Sequence, residues 1–134
     1  MNYRVDKSCT MYYHIHTMNT FGKHIREKRS SLTRGGRPLS LRKLAAVIGV
    51  EPSYLSKVER GETPPPSEAK IAALAHELGE DPDVLLAMAG KVSSDLQEVI
   101  RRRPQLFAEL IRQLKDAPEH AVLRLVREVR DGEW

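Results

Sequence analysis

Residues 19 to 60 carry ten basic side chains (Lys23, Arg26, Lys28, Arg29, Arg34, Arg37, Arg42, Lys43, Lys57 and Arg60) against Glu27, Glu51 and Glu59, a local charge of +7. Residues 61 to 90 reverse the sign, with Lys70 against Glu62, Glu68, Glu77, Glu80, Asp81 and Asp83, or −5. That division suits attraction of a polyanion to one end of a small domain, because a summed field can orient a charged partner before any contact forms. A solvated charged face is the plainer reading of the same residues. Cys9, His14, His16 and His24 form the only metal-like group, and their spacing fits no standard zinc site, so neither a metal nor another cofactor is expected. There is no Walker loop, no HExxH and no paired CxxC, and the carboxylates fall on helix surfaces. No catalytic residue is assigned, and an enzyme is not expected.

The whole chain of 134 residues sums to only +4, with one Cys and 40% apolar residues. Its length accommodates one small domain and an appendage, and excludes a large multi-domain enzyme. A single Cys forbids an internal disulfide framework and fits a reducing compartment. The longest apolar run, near Leu44 to Val50, falls far short of the roughly 20 residues that span a bilayer. The opening MNYRVDKSCTMYYHIHT has neither an apolar signal core nor a cleavage site. A cytoplasmic protein without a membrane partner is therefore expected. Residues 1–18 show no periodicity and read as a flexible tail, and Met18 reads like a natural start preceded by an upstream extension.

The elements that must position the basic groups follow in quick succession. Asn19 or Thr20 can cap a first helix with Phe21 and Ile25 inward. Leu32 to Pro38, with Gly35-Gly36, breaks that helix and reads as a loop. Ser40 caps a second helix bearing Leu41, Leu44, Ala45 and Ile48 at i, i+3, i+4, i+7, and Gly49 stops it. Pro52 opens a third helix with Leu55 and Val58 inward, ended by Gly61. Ser67 caps a fourth with Ile71, Leu74, Ala75 and Leu78, closed by Gly79. Asp81-Pro82 opens a fifth through Val84, Leu85 and Met88, ending at Gly90. Three more helices follow: one after a Ser94-x-x-Gln97 capping box with Leu96, Val99 and Ile100, one from Pro104, and one after an Asp116-x-x-Glu119 box with Pro118 in its first turn. No segment alternates as a strand should. The fold class is all-α, divided as tail 1–18, domain 19–90 and helical region 91–134.

Ser40 to Gly61, SLRKLAAVIGVEPSYLSKVERG, satisfies the physical recipe for a helix-turn-helix: small Ala45 lets two helices cross closely, and Gly49 turns the chain without a Cβ clash. The segment resembles the lambda-repressor-like, Xre-type helix-turn-helix family. The matching elements are Leu44-Ala45, Gly49-Val50, Ser53 to Gly61, Pro66-Ser67, Leu74-Ala75 and Leu78-Gly79, within a five-helix domain from Phe21 to about Ala89. The resemblance implies double-stranded DNA as partner, with the third helix in the major groove. Pro52, Ser53, Tyr54 and Lys57 then fall where base edges are read, Lys57 able to meet guanine O6/N7. Tyr54 could instead lie as a hydrophobic lid on the domain. Ser40 and Leu41 open the second helix, whose free amides suit a phosphate oxygen. Arg42, Lys43, Ser56 and Arg60 are further phosphate candidates. Arg29 and Glu59 match a pair that, in the family, ties the first helix to the recognition helix. Two features depart from the pattern. The connector Ser30 to Leu39 is about five residues longer than the usual short turn; it is either a basic loop that could carry Arg34 and Arg37 to phosphates or the minor groove, or a tolerated surface insertion. Glu51 sits as an acid before the recognition helix, where it could accept from a cytosine amino group, although a solvated side chain is the more natural reading.

One helix in one groove buries too little surface for genomic specificity, so a dimer on half-sites about one helical turn apart is expected. Residues 92–129 have apolar positions at helical spacing but are too few for a self-sufficient core. Leu106, Phe107, Leu110, Ile111, Leu114, Val122, Leu125, Val126 and Val129 are accordingly expected to pair with a second copy, the alternative being that these helices fold back on their own domain. The expected function is a sequence-specific transcriptional regulator, a dimeric repressor at a pseudo-palindromic operator. Rival readings are an antitoxin that also binds a toxin, and a regulator of a mobile or defence element released when a peptidase cuts between Gly90 and Asp116. A helical adaptor that binds no DNA would show salt-independent affinity.

Overall fold

The computed structural model describes residues 20–132. Asn19, the proposed tail 1–18 with Cys9, His14 and His16, and residues 133–134 lie outside that range. The chain divides at Ser93/Ser94 into two units.

In the first unit, α1 covers residues 20–31 with Phe21 and Ile25 fully buried at i, i+4. The connector after it is not the loop expected from Leu32 to Pro38. Thr33–Arg34 (β1) and Arg37–Pro38 (β2) pair antiparallel, Arg34 opposite Arg37, around Gly35 and Gly36 at φ 61° and 78°. Two successive left-handed residues make a primed turn whose twist matches a hairpin, and glycine enters that region without a Cβ penalty. Its strands are two residues each, too short for alternation to register. The Leu39 amide donates to the Leu32 carbonyl at 2.9 Å and closes the base.

Helix α2 spans Leu41–Ile48, with Ser40 Oγ accepting from the Lys43 amide at 3.2 Å and Gly49 left-handed at its end. Helix α3 spans Pro52–Glu59, α4 Glu68–Leu78 under a Ser67 cap, and α5 Pro82–Met88, where Asp81 accepts from the Asp83 amide at 2.8 Å. Their inner faces share one core. Leu44, Ala45 and Ile48 of α2 meet Leu55 and Val58 of α3 and Ile71, Leu74, Ala75 and Leu78 of α4. Each buried aliphatic side chain contributes about 1.5–3 kcal/mol by leaving water. Helix α5 differs from its expected face. Leu85, Leu86 and Ala89 are buried, Met88 only packs against the core's edge, and Val84 is exposed. A seven-residue helix held between two turns presents i, i+1, i+4 inward, which periodicity over so short a stretch does not distinguish from i, i+1, i+4 begun one residue earlier.

In the second unit, α6 spans Ser94–Arg102, α7 Pro104–Lys115 and α8 Glu119–Asp131. Each is amphipathic and none has a fully buried residue. The Asp116 capping box does not form. Asp116 closes α7, and Pro118 stands at the N-cap of α8 in extended conformation with no side-chain bond to the first turn. Pro118 thus precedes the helix instead of opening it, leaving Asp116 too far upstream to cap.

Candidate nucleic-acid interface

Helices α2 and α3 are fixed to each other by a close crossing. Ala45 and Leu55 are wholly enclosed, and the small side chain at 45 suits a close crossing. Beyond this shared core α3 offers the opposite face to solvent. Ser53, Lys57 and Arg60 are exposed at i, i+4, i+7, one stripe along the helix. Pro52, Tyr54 and Ser56 are half-buried, and Tyr54 packs against the core. Of the four residues expected to read bases, Ser53 and Lys57 stand clear in solvent. Tyr54 is partly committed to packing, the lid role foreseen for it.

On α2, Arg42 and Lys43 are exposed and Leu41 is half-buried against the core. Ser40 Oγ accepts from the Lys43 amide, which leaves its hydroxyl proton, together with the backbone N–H groups at the start of α2, to donate outward.

The third helix is held from behind by an ion pair. Arg29 Nε donates to Glu59 Oε1 at 2.7 Å and Nη2 to Oε2 at 3.3 Å, while Nη1 donates to the Leu39 carbonyl at 3.0 Å. One guanidinium thereby joins α1, the segment leading into α2, and the end of α3. The side chains are 16% and 6% exposed, so this pair is desolvated and both charges depend on each other.

Gly22 acts at the same junction and was not singled out by spacing. A Cβ there would lie 2.2 Å from the Val58 carbonyl oxygen and 2.7 Å from that of Glu59. Only glycine lets α1 lie this close to the end of α3. Its presence in the first turn of a helix, where most residues would be more stable, was the available signal. Lys70 was likewise missed. Its Nζ donates to the Ile48 carbonyl at 2.8 Å and the Gly49 carbonyl at 3.3 Å, satisfying the negative end of α2.

Ion pairing sorts the basic groups. Arg34, its side chain half exposed, reaches Glu77 of α4 at 2.9 Å, a pairing that the sequence did not suggest. The reason is the hairpin, whose paired strands aim Arg34 where a flexible loop would not have held it. Lys28 lies 3.9 Å from Glu80, which also takes His24 Nε2 at 2.8 Å, and Arg60 lies 3.1 Å from Glu62. The acidic stretch therefore neutralises part of the basic one. Of the ten bases in residues 19–60, five have no carboxylate partner among the described residues: Arg26, Arg37, Arg42, Lys43 and Lys57. Three of these five belong to α2 and α3. Among the described residues no group of His, Cys, Asp and Glu could hold a metal ion, and no helix is long and apolar enough to cross a membrane.

This layout of a close two-helix crossing, an exposed polar third helix and unpaired bases beside it is that of a DNA-binding helix-turn-helix. A family model described as a helix-turn-helix domain matches residues 21–88, and the chain belongs to that family, as an Xre-like DNA-binding transcription regulator. Among solved structures, the crystal structure of the clp gene regulator ClgR from Corynebacterium glutamicum is similar at 25% identity. It covers 71% of this chain and 89% of that one with a TM-score of 0.44, a likeness too loose to position side chains. No curated protein matches.

Proposed function

We propose that the protein is a cytoplasmic, non-enzymatic repressor that binds a pseudo-palindromic operator as a homodimer, with α3 in the major groove. The observation that carries this reading is the pattern of unpaired bases: Arg42, Lys43 and Lys57 stay uncompensated on α2 and α3 while neighbouring bases are matched by acids. Ser53 and Lys57 read base edges, and Arg42, Lys43 and the opening amides of α2 meet phosphates. Arg37, exposed on the hairpin, extends the basic surface.

The second unit supports a dimer. Leu106, Leu110, Ile111, Val126 and Val129 are exposed, Phe107, Leu114, Val122 and Leu125 only half-buried, and no residue of α6, α7 or α8 is fully enclosed. Amphipathic helices with that much apolar surface in water gain stability by covering it. A second copy doubles the surface and sets two recognition helices on half-sites ~34 Å apart.

The test is selection of binding sites from random duplexes, with sedimentation of the free protein. A palindromic consensus, a mass of two chains and an affinity that falls steeply with salt are expected. A particle of 15.2 kDa at micromolar concentration rejects the dimer, and salt-independent binding rejects the DNA reading. Co-purification with the product of a neighbouring gene would favour the antitoxin role.

A further inference from the structure

Between α1, the start of α2 and the end of α3 lies an open cleft of about 250 Å³, lined by Arg26, Arg29, Leu41, Ser56, Glu59 and Arg60. Its floor is electrically closed, since Arg29 takes both oxygens of Glu59. Arg60 on one wall donates from Nε to the Ser56 carbonyl at 3.3 Å and shares its charge with Glu62, a pair about half exposed on both sides. Arg26 on the opposite wall is different. It is exposed and has no carboxylate partner among the described residues, for its neighbour Glu27 faces Lys23 at 3.9 Å. Arg26 stands three residues before Arg29 and so shares its face of α1. The stripe Ser53, Lys57, Arg60 runs along α3 toward the same cleft.

We propose that Arg26 is a DNA-positioning residue, and that this cleft seats one phosphodiester of the duplex backbone. The inference rests on the DNA reading and deepens it by assigning a contact from α1, outside the helix-turn-helix itself. A phosphate entering the cleft meets a planar guanidinium able to donate two parallel N–H bonds, with the Ser56 hydroxyl and the Leu41 amide as secondary donors. The amide is free in the sense that Ser40 takes only those of Lys43 and Leu44 among the described residues. Glu59 does not repel the phosphate, because Arg29 neutralises it within 2.7 Å. Anchored at this point, the backbone fixes the register of α3 in the groove without adding sequence information.

The experiment compares wild type, Arg26→Gln and Arg26→Lys by fluorescence anisotropy over a salt series, on a selected duplex and on a random-sequence duplex. Arg26→Gln should weaken both duplexes alike, by on the order of three- to tenfold, and reduce the log–log salt slope by about 0.9 per chain bound. Arg26→Lys should restore the slope but not all of the affinity. The melting temperature should not move, since Arg26 holds nothing in the free protein. An unchanged slope and affinity in Arg26→Gln, while wild type binds in a salt-dependent way, overturns the assignment alone. Loss confined to the selected duplex would make Arg26 a base reader and also overturn it. Failure of wild type to bind any duplex removes the DNA reading itself. Inorganic phosphate is the control: if it raises the melting temperature of wild type but not of Arg26→Gln, and DNA affinity is equal in both, the cleft takes a free anion and the proposal fails.

Discussion

Truncating Glu59 tests whether the recognition helix is held by the ion pair behind it. Glu59→Ala leaves the Arg29 guanidinium with one protein acceptor, the Leu39 carbonyl at 3.0 Å, in a site where that side chain is only 16% exposed. Stranding one charge of a buried pair costs about 3–5 kcal/mol. Arg29 lines the open cleft, so water can reach part of the vacated space and the lower end, about 3 kcal/mol, is expected. In a domain of this size each kcal/mol moves the melting temperature by about 4–8 °C, so the drop should be about 12–24 °C. Glu59→Gln retains an acceptor and should fall by less. The double variant Arg29→Met with Glu59→Leu removes both charges and should melt well above Glu59→Ala, because nothing charged remains buried. Thermal circular dichroism at fixed salt measures all three, and duplex anisotropy in the cold, where each is folded, separates stability from binding. A Glu59→Ala protein melting within about 2 °C of wild type, or a double variant melting no higher than the single, would refute the reasoning.

Three further outcomes follow from the same geometry. Gly22→Ala should destabilise the first unit by about 1–3 kcal/mol in urea despite alanine's better helix propensity, because the carbonyl oxygen 2.2 Å from the new Cβ belongs to backbone; an equal or raised midpoint would show that α1 slides freely. Lys70→Met should cost about 1–2 kcal/mol by removing the donor to the end of α2, and a midpoint within error of wild type would mean water replaces it fully. Lys57→Ala touches no partner in the free protein, so stability should stay within about 0.5 kcal/mol while selection loses preference at one base position by about 1–3 kcal/mol; an unaltered consensus would remove Lys57 from base reading.

How far the molecule was legible depends on the distance over which each signal acts. The ends of α2 to α5 announce themselves locally: Ser40, Pro52, Ser67 and Asp81 satisfy or omit an amide at a helix start, and Gly49 and Gly79 enter a left-handed turn at a helix end. The hairpin was missed although Gly35-Gly36 is a primed-turn signal, because two-residue strands leave no period to count. Arg29 and Glu59, 30 residues apart, were paired only through the family pattern. Arg34 and Glu77, 43 apart, had no such guide, and no local signal joins them. The interface is thus clearest where one helix carries it and obscure where two distant segments meet. Charge sums share that limit. The +7 and −5 stretches suggested one positive end beside a negative one, yet Glu62, Glu77 and Glu80 stand against Arg60, Arg34 and Lys28, so part of each stretch is compensated by the other.

The closed base of the hairpin has a practical consequence. With the Leu39 amide bonded to the Leu32 carbonyl at 2.9 Å, the entry and exit of the insertion are already joined, and whatever lies between them projects outward. Lengthening such a loop costs only about 0.6 kcal/mol per doubling. The bend between Gly35 and Gly36 is therefore a splice point. A reporter peptide, a labelling cysteine or a longer basic finger can be grafted there, altering the reach of the protein without prising α1 from α2.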